Sequence, residues 1–167
     1  MKLIASVLSL SLVFLQPAVS SNESYLNQSI SDEVPEDLIE YFECVAASYN
    51  ICPEFLEAIA FYESRYDASV KNGNHYGLMQ INVRVHAKRI KKFGWTKKDM
   101  LEPYKNLTIA ADYLSDLYEK YEDTAMVVLL YTGNKKALHD YLRNGTLPDQ
   151  AQKILDKSYE LERIHGK

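Results

Sequence analysis

The sequence predicts an all-α fold, a single helical domain with one short irregular segment at residues 72–82. Three observations carry this reading. Apolar residues recur at i, i+3, i+4 and i+7 in several stretches, which is the period of one helical face. No run of useful length alternates apolar and polar residues, and no internal repeat is visible. The helical pattern breaks at Asn72-Gly73-Asn74, where Gly and Asn tolerate the positive φ of a turn. A length of 167 residues suits one domain with a single core, and 47% apolar with 25% charged residues is ordinary globular composition.

In chain order, Met1-Lys2 precedes an apolar run, Leu3–Leu15, too short to span a bilayer. Ala18-Val19-Ser20 then offers small residues where a signal peptidase reads. Residues 1–20 are therefore expected to be a secretory signal cut after Ser20, which places the protein in the periplasm or outside the cell. An uncleaved anchor is the alternative. Residues 21–34 are polar and aperiodic, a flexible leader, and the helical domain spans 35–167. Its first helix starts at Pro35, carries the stripe Leu38, Tyr41, Phe42 and Val45, and ends near Tyr49-Asn50.

Pro53 opens the second helix, where a missing N–H costs nothing. Leu56, Ile59, Ala60 and Glu63 share its buried stripe, while Glu54 and Glu57 lie off it and read as solvated acids. Two cysteines in a secreted chain predict one disulfide, Cys44–Cys52. Within a continuous helix their Cα atoms would stand ~12 Å apart, so the bond requires the chain to reverse at Asn50. Two free, buried thiols are the alternative.

Val83–Phe93 reads as a basic helix stopped by Gly94, and Thr96 as the cap of a short turn before Pro103. Asn106 is expected to cap the clearest helix, striped by Leu107, Ala110, Ala111, Leu114, Leu117, Tyr118 and Tyr121. Asp123 caps the next, which leads through Val127, Val128 and Leu130 to Tyr131. Lys135–Arg143 forms a short helix ended by Asn144-Gly145, and Pro148 opens the last, with Ile154, Leu155 and Leu161 inward.

Without residues 1–20 the chain holds 18 basic against 23 acidic side chains, a net charge of −5. That balance argues against general nucleic-acid binding. Residues 84–98 depart from it, with Arg84, Lys88, Arg89, Lys91, Lys92, Lys97 and Lys98 and no acid. The run is either a solvated helix face or a local attraction for carboxylates. His75, His86, His139 and His165 are scattered without metal-ligand spacing, so neither metal nor cofactor is expected.

The candidate site is the stretch from Glu63 to Gln80. Glu63 occupies a place in a buried series, and desolvation there raises a carboxyl pKa toward the range a general acid needs. A Glu that turns outward or pairs with Arg65 or a Lys is the alternative. Gly77 permits close approach to its backbone. Gln80 and Asn82 offer amides suited to sugar hydroxyls and N-acetyl groups, over Leu78, Met79 and Ile81.

Glu63-Ser64 followed by Gly77-Leu78-Met79-Gln80-Ile81-Asn82 resembles the signature of the soluble lytic transglycosylases, relatives of goose-type lysozyme. A third motif of that family is matched by Leu130-Tyr131-Thr132-Gly133-Asn134, with Thr132 where Asn is usual. The similarity spans roughly Leu38–Leu161 and implies a lysozyme-like fold with peptidoglycan glycan strands as substrate. It implies Glu63 as sole catalytic acid/base and 1,6-anhydro product ends. Ser64, Asn72, Gly77, Leu78, Met79, Gln80, Asn82 and Tyr131 would then serve substrate binding. It also implies local opening of the wall for a secretion or conjugation apparatus. Most glycoside hydrolases need two carboxylates, about 5–5.5 or 6.5–9.5 Å apart. Asp67, four residues beyond Glu63, is the candidate second acid, although it reads better as a cap of the helix end. A hydrolytic lysozyme and a non-enzymatic glycan-binding module are therefore the competing readings.

Overall fold

The computed structural model describes residues 34–133 and 135–167, so the expected signal and leader lie outside the described residues, as does Asn134. The described chain is mostly helical. Helix α1 spans Glu36–Tyr49, α2 Pro53–Ser64, α3 Ala87–Lys92, α4 Pro103–Tyr121, α5 Thr124–Tyr131, α6 Lys135–Asn144 and α7 Asp149–Ile164, with a 3-10 turn at Asp99–Leu101. Three two-residue strands, β1 (Lys71–Asn72), β2 (His75–Tyr76) and β3 (Ile81–Asn82), form an antiparallel sheet in the order β1-β2-β3. Asn72 faces His75 across the first pair, and His75 faces Asn82 across the second. Among the described residues no helix is long and apolar enough to cross a membrane.

The helix boundaries follow local chemistry. Asn50 adopts a left-handed φ of 52° and ends α1. Pro53 sits in the first turn of α2, and Arg65 and Tyr66, at φ 55° and 63°, stop it after Ser64. The Asp123 side chain accepts from the amides of Ala125 and Met126, the N-cap its position predicts.

Helix α2 is the centre of the packing. It is buried on nearly every side, from Glu54 to Phe61 and again at Ser64, with α1 and α7 as its main neighbours. Leu38, Phe42, Val45 and Ala46 of α1 pack into the same core, as do Ile154, Leu155 and Leu161 of α7. Helix α4 adds Leu107, Ile109, Ala110, Ala111 and Leu114, all fully buried.

This arrangement corrects three expectations. Glu54 and Glu57 are not solvated; they are 0% and 4% exposed, because α7 covers the α2 face that a one-sided helix would leave to water. Burial works against the Glu54 charge. The Cys52 thiol at 2.9 Å, the Lys167 ammonium at 2.7 Å and His165 Nδ1 at 2.9 Å outweigh it, holding the carboxyl down at about 2. Glu57 gains no such partners. Its Oε2 is buried without a hydrogen bond among the described residues, and desolvation pushes its pKa up to about 7.

The Cys44–Cys52 bond is not formed, and both cysteines are free and exposed. Cys44 lies on the outer face of α1, while the Cys52 thiol turns to Glu54 and, at 3.8 Å, to Glu162 of α7. Asn106 does not cap α4. Pro103 starts that helix, and Asn106 is buried inside it at 0% exposure.

The Glu57 arrangement sets the sign of one pH effect. Its folded pKa lies above the ordinary 4.5, so the folded state keeps a proton that the unfolded state releases. The stability this proton supports is present below pH 4.5 and lost as pH rises toward 7. Glu57→Gln is expected to raise stability at pH 8 by about 1 kcal/mol, or roughly 3–5 °C in Tm. No gain is expected at pH 5. Thermal unfolding of both proteins at the two pH values checks this, and an equal gain at both would refute it.

Candidate active site

Glu63 lies in the last turn of α2, just before the chain reverses through Arg65 and Tyr66. Its carboxyl opens into a small cleft of about 100 Å³, lined also by His75, Gln80, Asn82, His86, Tyr113 and Tyr131. Among the described residues none hydrogen-bonds or ion-pairs with it. Arg65, the neighbouring cation, instead lies over the Phe61 ring, 3.9 Å from its centroid. The structure thus decides against an outward or ion-paired Glu63. Desolvation alone pushes its pKa up to about 7, so near neutrality it can both give and take a proton.

Opposite Glu63 stands the turn joining β2 to β3, Gly77-Leu78-Met79-Gln80, and its backbone is tied from four directions. The Ser64 hydroxyl donates to the Leu78 carbonyl at 2.6 Å. Tyr131, at the end of α5, donates from its hydroxyl to the Met79 carbonyl at 2.8 Å. Asn106 accepts from the Met79 amide at 2.7 Å and donates to the carbonyls of Tyr76 at 2.7 Å and Met100 at 2.8 Å. Gln80 donates through Nε2 to the Gly77 carbonyl at 2.9 Å and to that of Val70 at 3.3 Å. That last pair holds Gln80 itself at φ 47°, a left-handed conformation that costs a residue with a side chain about 1–3 kcal/mol.

Several expected sugar contacts are therefore structural ones. Ser64 is buried and fastens α2 to the turn. Leu78 and Met79 are 0% exposed and face the core, so they hold the turn from beneath and present no surface to a sugar. Gly77 is packed against Met100 and Asn106 rather than open to a ligand. Tyr131 is bonded to Met79, not to Glu63, although the carboxyl lies near enough to help burial raise the phenol well above its ordinary pKa. Asn82 lines the cleft, yet its Oδ1 accepts from the amides of Arg84 and Val85 and its Nδ2 meets His75 Nε2 at 3.2 Å. Asn72 is exposed on β1 and does not line the cleft. Glu63, Gln80, Asn82 and Tyr131 are the expected site residues that the fold brings to one cleft.

Others come there unannounced. His86, from the turn before α3, packs its ring 4.7 Å from that of Tyr113 of α4 at an interplanar angle of 60°, and burial together with Arg89 lowers its pKa to about 4. It is a neutral imidazole at physiological pH, able to donate or accept but carrying no charge. His75 and Thr132 complete the wall. The His-poor spacing gave no sign of either histidine, since strand pairing and the 83–86 turn bring them together. Arg89 does not face the cleft with a free charge; it pairs with Asp112 and, at 2.6 Å, with Asp116 of α4. The chain turns away from the cleft before Asp67, which is exposed and accepts from the Ser69 amide and hydroxyl at 2.8 and 2.7 Å. It neither caps α2 nor joins the site. Glu63 is the one carboxylate lining the cleft among the described residues, and no cluster of three or more potential metal ligands occurs among them.

This set of groups is one proton donor and acceptor in a dry wall, a neutral imidazole and aromatic hydroxyls, set against a rigid backbone turn. A family model described as the transglycosylase SLT domain matches residues 40–153. No curated protein matches the chain.

Proposed function

The chain belongs to the transglycosylase SLT domain family, lytic transglycosylases that act on peptidoglycan, and from that premise we propose that its cleft breaks the MurNAc-β-1,4-GlcNAc bond without water. Glu63 donates its proton to the glycosidic oxygen as the bond to C1 of MurNAc breaks, and GlcNAc leaves with a free 4-hydroxyl. The carbonyl oxygen of the MurNAc N-acetyl group stabilises the cation at C1. The Glu63 carboxylate then takes the proton of the C6 hydroxyl as that oxygen bonds to C1, closing a 1,6-anhydro ring. Proton and electron pairs balance, and the acid is regenerated within one turnover.

The observation that carries this reading is the solitary Glu63. Its pKa of about 7 lets one group act as acid and then as base, and among the described residues no second carboxylate lines the cleft to activate water as a two-acid hydrolase requires. The ties on the 77–80 turn support a positioning role for Ser64, Asn106 and Tyr131, with Gln80 Oε1, His86 and the lone pairs of the Tyr113 hydroxyl, whose proton goes to the Leu130 carbonyl at 3.4 Å, left to meet the sugars. Action in the periplasm or outside the cell belongs to the same proposal, through the signal read at residues 1–20. So does local opening of the wall for a secretion or conjugation apparatus.

Mass spectrometry of digested peptidoglycan tests the chemistry. The expected product carries 1,6-anhydroMurNAc ends. Reducing MurNAc ends would assign the same cleft to hydrolysis, and an undigested wall would leave a binding module.

A further inference from the structure

We infer that the aromatic pocket between the end of α1, the 93–95 segment and the start of α4 is a second saccharide site, which holds glycan carrying stem-peptide carboxylates away from the catalytic cleft. The inference rests on the peptidoglycan reading of that cleft. The pocket encloses about 450 Å³, within the ~300–1,000 Å³ usual for small-ligand sites, and shares no lining residue with the cleft. On α4 its residues Tyr104 and Thr108 lie on roughly the opposite side from cleft-lining Tyr113, and ~10 Å nearer the helix start.

Its chemistry suits a sugar ring. Phe93 and Trp95 stack at 5.0 Å with an interplanar angle of 22°, and Tyr49 and Tyr104 form further aromatic walls. Such planes take the C–H face of a pyranose. Polar groups stand around them unused: the Trp95 indole N–H and the hydroxyls of Tyr49 and Tyr104 have no hydrogen-bond partner among the described residues. Burial and the neighbouring Tyr104 phenol raise the Tyr49 pKa, so its hydroxyl stays a donor. Ser48 spends its proton on the Cys44 carbonyl and keeps its lone pairs as acceptors. A purely apolar guest would strand these donors, whereas hydroxyls and an acetamido group satisfy them.

Charge narrows the occupant further. The segment that brings Phe93 and Trp95 also brings Lys91, Lys97 and Lys98, all exposed and in no ion pair among the described residues. Lys105 approaches the Trp95 ring at 5.9 Å and is bound to Asp99 and Glu102, so those two acids are neutralised beside it. Exposed cations next in the chain to an aromatic floor complement an N-acetylated glycan whose peptides end in carboxylates. Of the basic run, Lys91, Lys97 and Lys98 flank this aromatic segment in the chain, Arg84 follows cleft-lining Asn82, and Arg89 pairs with Asp112 and Asp116 of α4.

Trp95 is the chain's single tryptophan, so indole emission reports on this pocket alone. The test titrates Glu63→Gln protein, which does not turn over, with tri-N-acetylchitotriose and with a soluble disaccharide-tripeptide muropeptide. Both are expected to shift the emission, with the muropeptide at least ten-fold tighter. Lys97→Glu/Lys98→Glu should remove that advantage. Tyr104→Ala, at a side chain 45% exposed, should abolish the shift and lower sedimentation with insoluble peptidoglycan several-fold while turnover of short soluble fragments persists. Emission unmoved by either saccharide at millimolar concentration, or a shift undiminished in Tyr104→Ala, overturns the inference. Emission that responds in the variant while the wild-type protein yields no anhydro ends from peptidoglycan would fail the catalytic reading and leave the pocket standing.

Discussion

Glu63→Gln is expected to lower peptidoglycan turnover by at least about 10³-fold while the protein keeps its helical content and unfolds cooperatively. General acid–base catalysis by one positioned group contributes about 10²–10⁴-fold. Here the same carboxyl serves both halves of the proposed reaction, so its loss removes both. The amide keeps the shape of the carboxyl in a wall where no described residue hydrogen-bonds to it, so no partner is stranded. Release of soluble muropeptides by wild type and variant, with circular dichroism of each, checks the pair of outcomes. A variant that retains a tenth of the activity would move the chemistry elsewhere in the cleft.

The pH dependence follows with a definite sign. The reaction begins with protonated Glu63, whose pKa stands at about 7 because of desolvation. kcat/KM is therefore expected to be level on the acid side and to fall as pH rises through about 7, with no second carboxylate among the described cleft residues to add an acid limb. Stability moves the same way. The folded protein holds this proton between pH 4.5 and about 7 after the unfolded chain has released it, so stability is lost across that window. Glu63→Gln should consequently be more stable than wild type at pH 8 and not at pH 5. A rate profile flat from pH 6 to 9 would contradict the burial described for this carboxyl.

What the sequence reveals and what it hides divide along sequence distance. Signals within one turn of chain read well: Pro35 and Asn50 bracket α1, Asp123 caps α5, and Asn144-Gly145 ends α6. Glu63 and Gln80 are legible as neighbours because a short turn of Gly and Asn returns the chain between them. Glu54 and Glu57 are misread because periodicity assumes one buried face. Their second cover is α7, about a hundred residues later, and its carboxy-terminal end supplies the Lys167 and His165 partners of Glu54. Cys44 and Cys52 illustrate the same limit, since a count of two says nothing about which way each thiol faces. Asn106 is the most instructive. Its residue type and its place before an apolar run are those of a cap, yet its three partners lie on Met79, Tyr76 and Met100, two of them across the cleft segment. A polar residue one step outside a stripe gives no local sign that the helix has already begun at Pro103.

That asparagine and the glycine it faces carry the second large expectation. Gly77 holds φ 74°, and a Cβ there would overlap the Met100 carbonyl oxygen and sit 2.7 Å from Asn106 Nδ2. The obstruction is backbone on one side and a buried, triply bonded side chain on the other, so neither yields without opening the turn. Gly77→Ala is expected to cost roughly 3–5 kcal/mol of unfolding free energy, well beyond the penalty of positive φ by itself. Asn106→Leu should cost a similar amount by leaving the Met79 amide and the carbonyls of Tyr76 and Met100 unsatisfied, at about 1–3 kcal/mol each before relaxation. Asn106→Asp separates the two ends of the side chain. It keeps the acceptor for Met79 but sets an oxygen against two carbonyls, so its deficit should deepen as pH rises and the carboxyl ionises. Urea unfolding of the three variants at pH 5 and 8 measures these differences, and muropeptide release should fall with them, because the same turn carries the Tyr131 contact and faces Glu63. An unchanged urea midpoint for Gly77→Ala would mean that the Met100 carbonyl and Asn106 do not close on the turn, and the rigid wall opposite Glu63 would be lost from the argument.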